Sequence, residues 1–300
     1  MRLMGNQFTI TVVAQSTTEA QHYIGMAVAE ITRIEQLLST FKSDSQTNLI
    51  NENAGIAPVR VDREVFDLIA RSLALSRITQ GAFDISYGGI DKSLWNFDRA
   101  MTRLPSAQTA RQMVHLIDYR NIVLDPDNQT VWLRKAGMRI GFGGIGKGYA
   151  AEMAKNVLIK AGVASGIINA SGDLTTWGFQ PDGKPWTIGI AHPDAPRSAF
   201  SYLEISNKAV ATSGNYEKFV TIDGKKYSHT IDPKTGLPVT GIKSVTMIAD
   251  NAEFADAMAT PICVMGIGAG LYLVNQIPDL HCIIIDDQNT VYTSKHIHLT

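Results

Sequence analysis

The run Gly141-Phe142-Gly143-Gly144-Ile145-Gly146-Lys147-Gly148 constrains this chain more than any other stretch. It follows a β-like segment at 138–142 and precedes Ala150, Met153, Ala154, Val157 and Leu158, the apolar side of a helix predicted to run to about Ala161. A strand, a glycine turn and a helix in that order offer backbone N–H groups and a helix N-terminus to an anion. Gly141, Gly143 and Gly146 spell the G-x-G-x-x-G dinucleotide fingerprint. The acidic residue that should close a strand about 20 residues later is missing. Asp173 comes too late, in a second glycine-containing turn, Ser171-Gly172-Asp173. Gly141, Gly146 and Lys147 match a P-loop up to its last position, where Gly148 lacks the hydroxyl that would hold magnesium. The expectation is a phosphate-facing turn of neither type, with tight helix–strand packing as the purely structural alternative.

The remaining pattern predicts many strands. Residues 4–14 alternate as a strand, and Ser16 with Glu19 forms a capping box ahead of a long helix whose apolar face is Ile24, Val28, Ile31, Ile34 and Leu38. Residues 42–60 are polar and read as a loop. A helix from Arg63 to Thr79 turns Phe66, Ile69 and Leu73 inward, and a short one follows Pro105-Ser106 to about Ile117. Strands are expected near 121–124, 130–134, 138–142, 166–170, 186–191, 200–205, 218–222 and 244–250, then a helix from Asn251 and two strands near 281–286 and 290–297. Strands that neighbour one another in sequence favour an α+β fold, with mixed, largely antiparallel sheets flanked by helices. Residues 1–300 read as a single compact domain.

Composition removes some functions. A formal net charge of -1 gives no strongly basic surface for nucleic acid. No apolar run approaches the roughly 18 to 20 residues of a membrane span. Cys263 and Cys282 lie in apolar stretches and read as buried thiols, and His296 and His298 as surface residues. The amino terminus shows no leader pattern, so the chain as written reads as cytoplasmic, with a periplasmic or membrane-tethered location as the alternative if a leader preceded it.

Five segments, in order, resemble the FAD:protein FMN transferases, the ApbE-type flavin transferases. Met4-Gly5-Asn6 is similar to the family's M-G-T, and Ala82-Phe83-Asp84 to its A-F-D-P-T. Gly143-Gly144-Ile145-Gly146-Lys147-Gly148-Tyr149-Ala150 resembles G-G-I-A-K-G-Y-A. Ala211-Thr212-Ser213-Gly214-Asn215-Tyr216, followed by Ser228-His229-Thr230-Ile231-Asp232-Pro233-Lys234-Thr235-Gly236-Leu237-Pro238, resembles A-T-S-G-x-Y and S-H-I-I-D-P-x-T-G-x-P. Ala255-Asp256-Ala257-Met258-Ala259-Thr260 is similar to A-D-A-L-A-T. Gly146 stands where the family has alanine, Glu152 where aspartate is common, and Ile85 where proline follows the Phe-Asp pair.

The resemblance implies an ApbE-like unit that consumes FAD as a substrate, with Mg2+. Asp256 and Thr260, four apart on a predicted helix, point to one face and offer hard oxygen ligands. The family pattern adds the backbone carbonyls of Gly146 and Ala259. Without the resemblance, Asp256 would be a helix N-terminal acid and Thr260 a packed residue. It also implies His229 as general base beside Asp256, and Met4, Phe41, Ala82, Phe83, Asp84, Gly143, Lys147, Tyr149 and Thr230 as FAD contacts. The implied reaction moves FMN from FAD to a Ser or Thr hydroxyl of a client protein carrying a D-G-x-[ST]-G-A-[ST]-like motif, such as a redox-pump subunit, and releases AMP. Hydrolysis of FAD to FMN and AMP is the alternative, and a non-catalytic flavin-binding protein is a third reading.

Overall fold

The computed structural model describes residues 1–90, 103–192, 195–214, 219–222, 225–295 and 297. In chain order the elements begin with β1 (Arg2–Leu3), β2 (Asn6–Val12), α1 (Thr17–Leu38), α2 (Gln46–Glu52), β3 (Val59–Arg60), α3 (Arg63–Ile78) and α4 (Ala107–Met113). They continue with β4 (Ile122–Asp125), β5 (Thr130–Leu133), α5 (Gly146–Lys160), β6 (Gly166–Ala170), β7 (Asp173–Trp177), β8 (Trp186–His192) and β9 (Ala195–Ile205). The last are β10 (Ala209–Gly214), β11 (Phe219–Ile222), β12 (Lys225–Ser228), β13 (Ile242–Ala249), α6 (Ala252–Met265), α7 (Ile267–Val274), β14 (His281–Asp286) and β15 (Val291–Thr293). Two compact units emerge: residues 1–35, 145–216 and 242–300 form the first, and residues 36–144 and 217–241 the second.

The first unit is built on an eight-stranded sheet in the order β1-β2-β6-β7-β10-β13-β14-β15, antiparallel at every pairing. Strand alternation gives it two different faces. Leu174, Val210, Ile248 and Ile283 point to one face and are covered by Trp186, Ile188 and Ile190 of the β8–β9 hairpin. Burying each such side chain is worth roughly 1.5–3 kcal/mol, so this cluster fixes the hairpin on the sheet. Ala209, Ala211, Val245 and Met247 point the other way, toward α6, whose Cys263 thiol hydrogen-bonds Ser213. Helix α5 packs beside α6 and against β6 and β7. The α+β class with antiparallel sheets and flanking helices is therefore what the chain adopts.

Tight turns explain several local sequence features. Met4 and Gly5, both at positive φ (50° and 73°), form the two-residue turn between β1 and β2. The strand expected from residue 4 thus begins at Asn6 instead. Ser171 and Gly172 (φ 58° and 101°) make the same kind of turn between β6 and β7. The expected cap of α1 is present: Ser16 Oγ accepts from Glu19 N at 3.2 Å, while Glu19 reaches back to Gln15 N at 2.7 Å.

The second unit holds a three-stranded sheet, β3-β5-β4, and the β11–β12 hairpin. Two expectations fail here for physical reasons. The polar stretch 42–60 contains α2, because its polar side chains satisfy backbone groups rather than solvent. Ser45 Oγ caps the helix at Asn48 N (3.0 Å), Thr47 Oγ1 donates to Leu37 O (3.2 Å), and Asn48 Nδ2 donates to Lys42 O (2.8 Å). Residues 138–142 form no strand: Arg139 makes only an isolated parallel bridge to Tyr87, and Gly141 N donates to Ile85 O at 2.8 Å. Between them, the Asn51 side chain accepts from Ile140 N (2.7 Å) and donates to Ile140 O (3.0 Å), taking the place of a second strand at that residue.

Among the described residues no helix is long and apolar enough to cross a membrane. His296, His298, Asn215 and Tyr216 lie outside the described residues. Cys263 and Cys282 are buried, and burial pushes their thiols up to about 12 and about 11. At pH 8 both are then protonated and shielded, so neither should react with iodoacetamide in the native protein and both should react in guanidinium. Mass spectrometry showing rapid native labelling of either would contradict this packing.

Candidate active site

Helix α5 starts without a side-chain cap of its own: its N-cap is Ile145, which has no acceptor. Four backbone N–H groups at such an end need partners. Asp256, on α6, supplies one. Its Oδ2 accepts from Gly148 N at 2.9 Å, and the backbone N–H of Lys147 also bonds this carboxylate. An acid from a neighbouring helix thus takes the place of an N-cap, where the helix dipole favours negative charge. The contact requires glycine at 148, since a Cβ there would stand 2.1 Å from Ala252 O and 2.7 Å from Asp256 Cβ. The residue that spoils the P-loop pattern is the one that lets two helices touch.

Lys147, next along, turns to β7 and forms an ion pair with Asp173. Asp173 is buried, and its Oδ1 accepts from Thr212 N of β10 at 3.3 Å. Asp256 is also buried, at 6% exposure. Burial, followed by the charge of Asp173, pushes the Asp256 carboxyl up to about 7, against the pull of Lys147 and the two N–H groups. Burial likewise raises Asp173, opposed by Lys147. Two desolvated carboxylates therefore share one lysine, and the excess negative charge favours a cation. Among the described residues no three His, Cys, Asp or Glu side chains gather as a metal cage. A cation here would be held by one or two carboxylates together with hydroxyl, backbone and water oxygens, which is the donor set magnesium takes. Thr260, one turn after Asp256 on α6 and half-buried, and the backbone at Gly146 and buried Ala259 are the other oxygen sources on these two helices.

Other candidates in the first unit are Tyr149, buried in α5, and Met4 in the β1–β2 turn. Met4 is held in its left-handed conformation by its N–H, which donates to Glu35 Oε2 at 3.0 Å. In the second unit, Gly143 is exposed and its N–H donates to Tyr87 Oη at 3.0 Å. A Cβ on Gly143 would collide with that hydroxyl at 2.4 Å. Ala82 and Phe83 are buried nearby in sequence, and Phe41 is 98% exposed. Asp84 is buried and fully engaged: it accepts from Ser86 N (2.8 Å), Ser86 Oγ (2.6 Å) and Tyr119 N (2.8 Å). His229, exposed, follows β12, and Thr230 is buried. The loop after them is built by Asp232, whose carboxylate accepts from Lys234 N (2.8 Å) and Thr235 Oγ1 (3.1 Å). Gly236 has φ 71°, and a Cβ there would stand 2.1 Å from Ala110 O.

Sequence reasoning brought Lys147 and Asp256 to one place but missed Asp173 and Glu152 as their neighbours. Glu152 Oε2 accepts from Ala252 N at 3.0 Å, and its other oxygen pairs with Lys155. Asp173 comes too late in the chain to be the acid of a dinucleotide fold. Its place directly after a two-residue turn, at the mouth of a strand, was the available signal.

A model of the ApbE family matches residues 4–284, and the chain belongs to that family. Over 267 residues it is 32% identical to an FAD:protein FMN transferase of Klebsiella pneumoniae (strain 342), covering 88% of this chain and 82% of that relative. Its structure is similar to that of the ApbE protein of Thermotoga maritima, with a TM-score of 0.88 at 30% identity over 98% of this chain and 96% of the other. The apo form of the Pseudomonas stutzeri flavinyl transferase ApbE gives 0.85 at 28% identity, over 98% and 93%.

Two single variants and one double variant test the cluster and the helix contact beside it. Gly148→Ala should destabilise the fold by roughly 1–3 kcal/mol through overpacking between α5 and α6, read as a lower midpoint in urea. Lys147→Met should cost about 3 kcal/mol by leaving two buried carboxylates without a counter-charge. The double variant Lys147→Met/Asp173→Leu should recover most of that loss.

Proposed function

We propose that this chain is an FAD:protein FMN transferase that moves FMN from FAD to a Ser or Thr hydroxyl of a client protein and releases AMP. The observation that carries this reading is the Lys147–Asp173–Asp256 cluster at the N-terminus of α5, set inside a span that matches the family from residue 4 to 284. A helix N-terminus, a lysine and a carboxylate with a hydroxyl one turn away suit a pyrophosphate, and no part of that set serves flavin redox chemistry.

In the proposed reaction the client hydroxyl oxygen attacks the phosphorus of the FMN half. The bond from that phosphorus to the bridging oxygen breaks, AMP leaves with the oxygen, and the client keeps FMN through a phosphoester. His229, exposed after β12, accepts the hydroxyl proton as general base. Lys147 lies beside the turn proposed to receive the pyrophosphate, and Asp256 orients that turn from α6. Magnesium would be held by Asp256 and Thr260 side chains with the carbonyls of Gly146 and Ala259, and when bound it neutralises charge on the phosphate oxygens.

Met4, Phe41, Ala82, Phe83, Gly143, Tyr149 and Thr230 are proposed as the remaining FAD contacts. Asp84 belongs with them through the loop it shapes, because its own carboxylate already takes three hydrogen bonds. We further propose that residues 1–300 act as one transferase domain and that the client presents a D-G-x-[ST]-G-A-[ST]-like segment, as a redox-pump subunit would.

The test is incubation of the purified chain with FAD, with and without magnesium and a client peptide, followed by chromatography. FMN attached to the peptide, AMP in equal amount, and loss of both with a chelator are the expected results. Asp256→Asn, whose amide oxygen still accepts from Gly148 N, should fold yet lose most of its turnover and need more magnesium for half-saturation. Free FMN with every client would replace transfer by hydrolysis, and intact FAD that cycles with a reductant would replace both by flavin binding.

A further inference from the structure

Glu152 is a buried carboxylate that the reaction above does not use, 5% exposed on α5. Its Oε2 accepts from Ala252 N at 3.0 Å, the first residue of α6, and from Thr175 Oγ1 at 3.3 Å on β7. Its Oε1 pairs with Lys155 Nζ at 2.5 Å, one turn further along its own helix. One side chain therefore ties three elements.

It is not the cap of α6. That role belongs to Asn251, whose Oδ1 accepts from Phe254 N at 3.1 Å. Ala252 is 1% exposed, so its N–H has no water to turn to, and Glu152 supplies the acceptor. The Glu152–Ala252 bond lies four residues from the Gly148–Asp256 bond on both helices. Gly148 pairs with Asp256 and Glu152 with Ala252, so the two helices are joined antiparallel by two rungs about 6 Å apart. One rung alone would let α6 rotate about the contact. The second fixes the face on which Asp256 and Thr260 stand.

A buried ion pair is a poor source of stability, since an apolar pair of similar volume often serves as well. What an apolar pair cannot do is accept the Ala252 N–H. We propose that Glu152 is a positioning residue for the phosphate-handling site, setting the rotation of α6 that presents Asp256 and Thr260; this rests on the flavin-transfer reading.

Two double variants test the acceptor, because both remove the buried charges and only one of them keeps an oxygen that can accept at the end of the side chain. Glu152→Met/Lys155→Met loses the acceptor, and Glu152→Gln/Lys155→Met keeps it in the amide oxygen. Each is compared with the wild type by thermal melting, by FAD turnover across a magnesium titration, and by hydrogen exchange at the Gly148 amide. The expected result is that the Met/Met protein melts near the wild type yet loses about 10–100-fold in kcat, needs more magnesium for half-saturation and exchanges faster at Gly148. The Gln/Met protein should retain most of the turnover and the protection. Equal turnover in the Met/Met protein and the wild type, or an equal fall in both variants, overturns the proposal. If the wild type leaves FAD intact with every client, the flavin-transfer reading fails on its own. Exchange at Gly148 then decides the positioning, and unchanged protection in the Met/Met protein overturns it.

Discussion

A carboxylate from one helix caps another, and much of the first unit follows from that contact. Ile145 cannot satisfy the opening N–H groups of α5, so Asp256 does so from α6. The bond demands a close approach of the two backbones. That demand fixes glycine at 148 and is consistent with the buried alanines on both helices, at 150, 151 and 154 and at 252, 255, 257 and 259. It also takes the carboxylate out of water, which is why Asp256 sits far above the ordinary range for an aspartate. The same group is thus a structural cap and a strained anion. Its desolvation makes it a stronger partner for a cation than a surface aspartate would be.

The Lys147–Asp173 pair moderates this cost without removing it. Lys147 attracts both carboxylates, but one part-exposed positive charge cannot neutralise two buried negative ones. A dry structural core would favour an apolar arrangement here. An acid retained at such a site fits a place where a charged substrate is handled.

The sequence made the glycine turn, its helix and the Asp256–Thr260 spacing legible, because all three are local patterns. Asp173 and Glu152 were not, because their partners lie 26 and 100 residues away in the chain. Strand β10, Ala-Val-Ala-Thr-Ser-Gly, is legible only as a motif: its own residues are small, both of its faces are covered, and it shows no alternation. Helix α2 is hidden by its own polarity, since Thr47, Asn48 and Asn51 spend their side chains on backbone groups of other segments. Residues 138–142 are extended, yet in place of a ladder they have an isolated parallel bridge from Arg139 to Tyr87, a bond from Gly141 N to Ile85 O and the Asn51 side chain. Polarity and extension are local observables, whereas the identity of the hydrogen-bond partner is not.

The first unit is assembled from three separated pieces of chain, and this has a kinetic consequence. Strand β2 (6–12) finds its neighbour β6 only at 166–170, and the pairing of β10 with β13 spans the whole insertion at 217–241. Such distant closures are slow, since chain entropy is lost before any contact compensates it. On the ribosome the amino-terminal hairpin must wait, with one edge open, for more than half of the chain to be made. Until then that edge is the segment most exposed to mispairing.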